Sequence, residues 1–128
     1  MKIYLISPPK LTKSFNSKIF DTITDIIPIE YFQFRPKFKL LKDRLNFVEM
    51  HYESFSRVCK KKKIKLIIND DFEIAEEFTF DGIHLGQNDK SCKAAKEKFG
   101  KEFIVGVSCS SSENLYKKAK SDGADYVA

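Results

Sequence analysis

Short apolar runs alternate along the chain with longer stretches in which apolar residues recur every third or fourth position. That alternation predicts strand, helix, strand, helix from one end to the other. Ile3 to Ile6 is a strand closed by Ser7-Pro8-Pro9. Ser17 to Ile26 has helical spacing at Ile19, Phe20, Ile23 and Ile26, and Pro28 ends it. Tyr31 to Phe34 is a second strand. A long helix follows, from Leu40 to Lys63, with Leu41, Leu45, Phe47, Val48, Tyr52, Phe55 and Val58 on or near one side. Ile64 to Ile68 is a β-branched strand, Asp71 to Phe78 a short helix, and Gly82 to Leu85 a fourth strand. Ser91 caps a helix that runs to Phe99 and stops at Gly100. Phe103 to Val107 is the fifth strand, Ser112 to Lys120 a helix closed near Gly123, and Asp125 to Ala128 begins a sixth strand. The strands are continuously apolar, as in a parallel sheet buried on both faces by helices.

Composition narrows the class. The 128 residues suit one ordinary domain, and 12 Phe supply core bulk where Trp is absent. Cys59, Cys92 and Cys109 are odd in number and widely spaced, which argues against zinc and for reduced thiols in a cytoplasm. No apolar run approaches a membrane span, and the apolar run of MKIYLISPPK is too short for a signal sequence. A cytoplasmic protein without membrane contact is expected. The net charge of +5 draws heavily on Lys60 to Lys63 and Lys65. That run lies at a helix C-terminus, where cations suit the dipole. No aromatic interleaving accompanies it, so a solvated face is expected and no nucleic-acid partner. Nothing in the pattern fixes an oligomeric state.

Parallel α/β proteins bind ligands at the carboxyl ends of their strands. The residues there are polar throughout. Gln33, Arg35 and Lys37 fall at every second position of the second strand and its extension, so an extended chain points them to one side. Asn69, Asp70 and Asp71 follow the third strand, Gln87, Asn88 and Asp89 the fourth, and Ser108, Cys109 and Ser110 the fifth. Carboxylates can hold Mg²⁺ together with substrate phosphate oxygens, and Arg and Lys can neutralise a diphosphate. Asp71 is also a natural helix cap. His84, alone in an apolar strand, is expected to be a packed, hydrogen-bonded interior residue, and Cys109 a small packing residue. Ser7-Pro8-Pro9 is expected to be a rigid turn.

Six segments together resemble thiamine phosphate synthase: YLIS at 4–7, QFRPK at 33–37, LIIND at 66–70, DGIHLGQND at 81–89, GVSCS at 106–110 and GADYVA at 123–128. LIIND followed at this interval by DGIHLGQND is the most specific pairing. The resemblance implies a (βα)8 TIM barrel, of which the chain would hold about the first six strands. It implies condensation of hydroxymethylpyrimidine diphosphate with thiazole phosphate, releasing pyrophosphate with Mg²⁺ as cofactor. By position, Asp70 and Asp89 would be the Mg²⁺ ligands. Arg35, Lys37, Asn69 and Ser108 would contact the diphosphate, with Arg35, Lys37 and Ser108 catalytic, and Gln33 would contact the pyrimidine.

The chain departs from the family pattern in places. Pro36 stands where an acidic residue is frequent, Asp71 where Arg is frequent, and Ser110 where His is common. The Gly-Pro segment after strand six and strands seven and eight are not in the sequence. Residues 1–128 are therefore expected to be one synthase-like domain truncated within strand six, and inactive in isolation. A non-catalytic remnant or anionic-metabolite binding module, and a thiazole tautomerase-like relative, are the alternative functions. A flavodoxin-like open sheet is the alternative architecture.

Overall fold

A computed structural model describes residues 1–128. Six strands and five helices alternate: β1 (Ile3–Ile6), α1 (Ser17–Ile26), β2 (Ile29–Phe34), α2 (Leu41–Lys62), β3 (Lys65–Asn69), α3 (Phe72–Glu77), β4 (Gly82–Leu85), α4 (Cys92–Phe99), β5 (Ile104–Val107), α5 (Glu113–Ser121) and β6 (Tyr126–Val127). They divide into two compact units, Met1–Leu66 and Ile67–Ala128.

In the first unit β1 and β2 pair in parallel, with a register shift between Ile3 and Tyr4. Asn16 opens α1, its Oδ1 accepting from the Lys18 and Ile19 amides at 3.1 Å. The core is a cluster of phenylalanines. Phe20, Phe32, Phe34 and Phe55 are all at most 1% exposed. Phe20 and Phe32 stack with centroids 4.3 Å apart, within the range where aromatic pairs add to plain burial. Lys61 and Lys62 of the basic run form ion pairs with Asp21 and Asp25 of α1. Part of that run is thus tied to a neighbouring helix, and the remainder is exposed.

The second strand starts earlier than expected and ends where expected. It begins at Ile29, immediately after Pro28, and stops at Phe34, before Arg35 and Lys37. Pro36 has no N–H to donate, which does not favour continuing a ladder.

In the second unit Ile67–Asn69 of β3 pair with Gly82–His84, β4 pairs with β5, and β5 with β6, all in parallel. The helices are capped as their sequences demand. Ser91 Oγ accepts from Ala94 N at 3.1 Å and Ser112 Oγ from Leu115 N at 3.3 Å. Asp71 occupies the N-cap position of α3 but makes no side-chain cap hydrogen bond. This corrects its reading as a cap: Asp71 is buried, and it is its backbone N–H that bonds locally, to Asn69. All four residues of β4 are buried. A Cβ added to Gly82 would lie 2.2 Å from the Ile104 carbonyl oxygen. Because that contact is backbone, Gly82→Ala is expected to cost about 2–3 kcal/mol, read as a lowered urea midpoint at unchanged slope. No helix is long and apolar enough to cross a membrane.

Candidate active site

The first unit carries a basic segment after β2. Gln33, at the end of β2, is 3% exposed and donates from Nε2 to the Tyr4 hydroxyl at 2.9 Å. Beyond Phe34 the chain is held by the loop after β1. Arg35 N donates to Ser7 Oγ at 2.9 Å, and Lys37 N donates to the Pro9 carbonyl at 3.3 Å. Ser7 is itself buried. The Ser7-Pro8-Pro9 turn therefore fixes the backbone that carries Arg35 and Lys37. Arg35 is half-buried and Lys37 exposed. Sequence reading missed this service of Ser7, which needs the register of β1 against β2 to be seen.

The second unit contributes an acidic site with amides and hydroxyls. Asn69, the last residue of β3, is buried. Asp70 follows it with φ of +67°. Its amide donates to the His84 carbonyl at 2.9 Å, and the Asp71 amide reaches back over it to Asn69 O at 2.8 Å. A bond from i+2 to i around a residue of positive φ is the rarer and more strained form of γ-turn. Strain of this kind collects at functional sites, and Asp tolerates it better than most residues.

The loop after β4 faces the same turn. Asp89 Oδ2 accepts from the Gly86 amide at 2.6 Å. A Cβ placed on Gly86 would lie 2.9 Å from Asp89 Oδ2 and 4.0 Å from Asp70 Oδ1. The two carboxylates thus flank one spot that only the absence of a side chain leaves empty. Nearby, Gln87 donates from Nε2 to the Ser108 carbonyl. A small cavity of about 120 Å³ opens beside the loop, lined by Gly86, Asp89, Lys90 and Ser91, by Lys118 of α5 and by Asp122 just beyond it. It is well below the size that encloses a drug-sized ligand, so it is no substrate pocket by itself. Cys92, which also lines it, has its thiol pushed up by burial and is no ready nucleophile.

No group of three or more His, Cys, Asp or Glu is gathered in a way that could hold a metal ion, so a closed zinc-type cage lacks its donors. Magnesium asks for less: one or two carboxylates, with water and phosphate oxygens completing the shell. Asp70 and Asp89 around Gly86 fit that donor set. Gly86→Ala would push the Asp89 carboxylate aside without touching backbone. Since no backbone has to shift, the denaturation midpoint of Gly86→Ala, read by urea unfolding, is expected to stay nearly unchanged.

Ser108, half-buried at the end of β5, lies 2.8 Å from His84 Nε2, and His84 Nδ1 lies 3.1 Å from the Tyr126 hydroxyl. His84 is a buried, doubly hydrogen-bonded residue, as its apolar surroundings in sequence imply. Its link to Ser108 was not legible there. The one available signal was the spacing of Gly82, His84 and Gly86, which puts a polar residue between two glycines on one strand face.

A parallel α/β chain with strained, carboxylate-bearing and hydroxyl-bearing strand ends is of the class that binds its ligands at those ends. The particular family is shown by comparison. The family model described as thiamine monophosphate synthase matches residues 3–128, and the chain belongs to that family. It is 38% identical to the thiamine-phosphate synthase of Pelagibacter ubique, over 98% of this chain and 58% of that protein. It is 34% identical to the thiamine-phosphate synthase of Lactococcus lactis subsp. lactis, over 99% of this chain and 60% of that protein. Among solved structures it matches thiamine phosphate pyrophosphorylase from Pyrococcus furiosus with a TM-score of 0.77 at 20% identity, over 99% of this chain and 58% of that one. That likeness shows a shared fold. The chain spans about three fifths of the length of these relatives.

Proposed function

We propose that the protein carrying residues 1–128 is a thiamine phosphate synthase. It would condense hydroxymethylpyrimidine diphosphate with thiazole phosphate to give thiamine phosphate and pyrophosphate. We further infer that these residues belong to a single synthase domain with the (βα)8 barrel of its relatives. The observation that carries the functional reading is the pair of carboxylates, Asp70 and Asp89, set around the bare Cα of Gly86.

In this reading Asp70 and Asp89 would hold Mg²⁺. When bound, Mg²⁺ withdraws charge from the diphosphate and makes it a better leaving group. By the resemblance, Arg35 and Lys37 would neutralise diphosphate through their cations, and Asn69 and Ser108 would hydrogen-bond to it. Gln33 takes the pyrimidine. The C–O bond to diphosphate breaks first, and the thiazole nitrogen captures the pyrimidine-stabilised carbocation. The protein's contribution is leaving-group stabilisation and alignment of the two substrates. The strength of the family match favours this reading over a tautomerase-like relative or a remnant.

The test is direct. The full protein, given both substrates and Mg²⁺, is expected to release pyrophosphate and thiamine phosphate in equal amounts. Binding of the pyrimidine diphosphate with no product would favour the non-catalytic binding module.

A further inference from the structure

Three residues stand in one row across β4, β5 and β6. His84 is the register partner of Gly106, and Gly106 is the partner of Tyr126. The outer two are separated by a whole strand, so their side chains meet only if the middle position is bare. It is. A Cβ on Gly106 would lie 2.0 Å from Tyr126 Cζ and 2.3 Å from its hydroxyl oxygen. The Tyr126 ring therefore lies over the glycine, stacked beside His84 with centroids 5.6 Å apart. Its hydroxyl reaches His84 Nδ1 at 3.1 Å, and His84 Nε2 reaches Ser108 Oγ at 2.8 Å.

A neutral imidazole carries one proton and accepts at its other nitrogen, so the proton order along this row has two solutions. If Tyr126 donates to Nδ1, then Nε2–H donates to Ser108, and the seryl proton is left to donate outward. If Ser108 donates to Nε2, then Nδ1–H donates to Tyr126, and Ser108 turns only lone pairs outward. An anion tolerates the first order and is repelled by the second. A phenol O–H donates as well as accepts, so Tyr126 can supply the proton at the Nδ1 end.

We propose that Tyr126 and His84 are positioning residues for Ser108: the relay Tyr126–His84–Ser108, built over Gly106, fixes the seryl hydroxyl as a donor to a diphosphate oxygen. The proposal rests on the reading of this site as diphosphate-binding. The relay gives Ser108 its direction before the ligand arrives, so the hydroxyl need not reorient on binding.

Nitrogen-15 imidazole NMR of the full protein at neutral pH reads the tautomer, with the signals lost in His84→Gln assigning His84. His84 is expected as the neutral Nε2–H form, and Tyr126→Phe, which keeps the ring over Gly106, is expected to erase that preference. An Nδ1–H form or an imidazolium would overturn the relay. Binding of Mg²⁺-pyrophosphate supplies the second readout. Ser108→Ala and Tyr126→Phe are each expected to weaken it about tenfold, and the double variant no more than Ser108→Ala alone. Losses that multiply would also overturn the relay. A wild-type protein that ignores pyrophosphate would instead overturn the diphosphate reading, and with it the anion at the relay's end, whatever tautomer is found.

Discussion

Asp89→Asn in the full protein is expected to lower kcat/KM by on the order of 10²–10³-fold with little change in stability. Asparagine keeps the shape of the side chain and a carbonyl oxygen able to accept from the Gly86 amide, the bond Asp89 Oδ2 now receives at 2.6 Å. Only the charge is lost. A loss of activity with an intact loop then isolates the charge as the working property. Asp70 supplies a sharper contrast. Its φ of +67° is a region glycine enters freely. Asp70→Gly should therefore hold or raise the denaturation midpoint while activity falls as far as in Asp89→Asn. Steady-state kinetics with a Mg²⁺ titration, beside urea unfolding, separates the two effects. Unchanged Mg²⁺-dependent activity in either variant would remove that carboxylate from the site.

Phe55→Ala is expected to cost about 3–5 kcal/mol. The Phe55 ring is 1% exposed and lies 5.2–6.1 Å, centroid to centroid, from the rings of Phe34, Phe32, Phe20 and Phe15. Removing it opens a cavity bordered by four aromatic side chains that cannot all move inward together. Domains of this kind are stable by about 5–15 kcal/mol, so the loss is a large fraction of the whole. The urea midpoint should fall sharply at unchanged slope. A cost below about 1 kcal/mol would mean that the cluster is not the core of its unit.

The periodic part of this fold was legible because it repeats. Ser17–Ile26 announces its buried face by spacing, Pro28 forbids its continuation, and Ser91 and Ser112 mark helix starts with their own hydroxyls. The site was legible as residue types at strand ends, and there the resemblance assigned roles that periodicity does not supply. What stayed hidden has physical causes. Gln33, Arg35 and Lys37 keep the alternation of a strand, yet alternation describes side chains and not a ladder, which ended at Phe34. Asp70 and Asp71 look alike in sequence. One sits at the centre of a strained turn, and the other is buried without capping its helix. The row of His84, Gly106 and Tyr126 depends on register across residues 20 or more apart, which no local pattern encodes.

The central claim is that Asp70 and Asp89 hold a metal ion against diphosphate. Calorimetric titration of the full protein with pyrophosphate, with and without Mg²⁺, tests it most directly. Binding is expected to require Mg²⁺ in the wild-type protein and to be lost in Asp89→Asn at the same Mg²⁺ concentration. Equal binding without Mg²⁺, or undiminished Mg²⁺-dependent binding in Asp89→Asn, would contradict it.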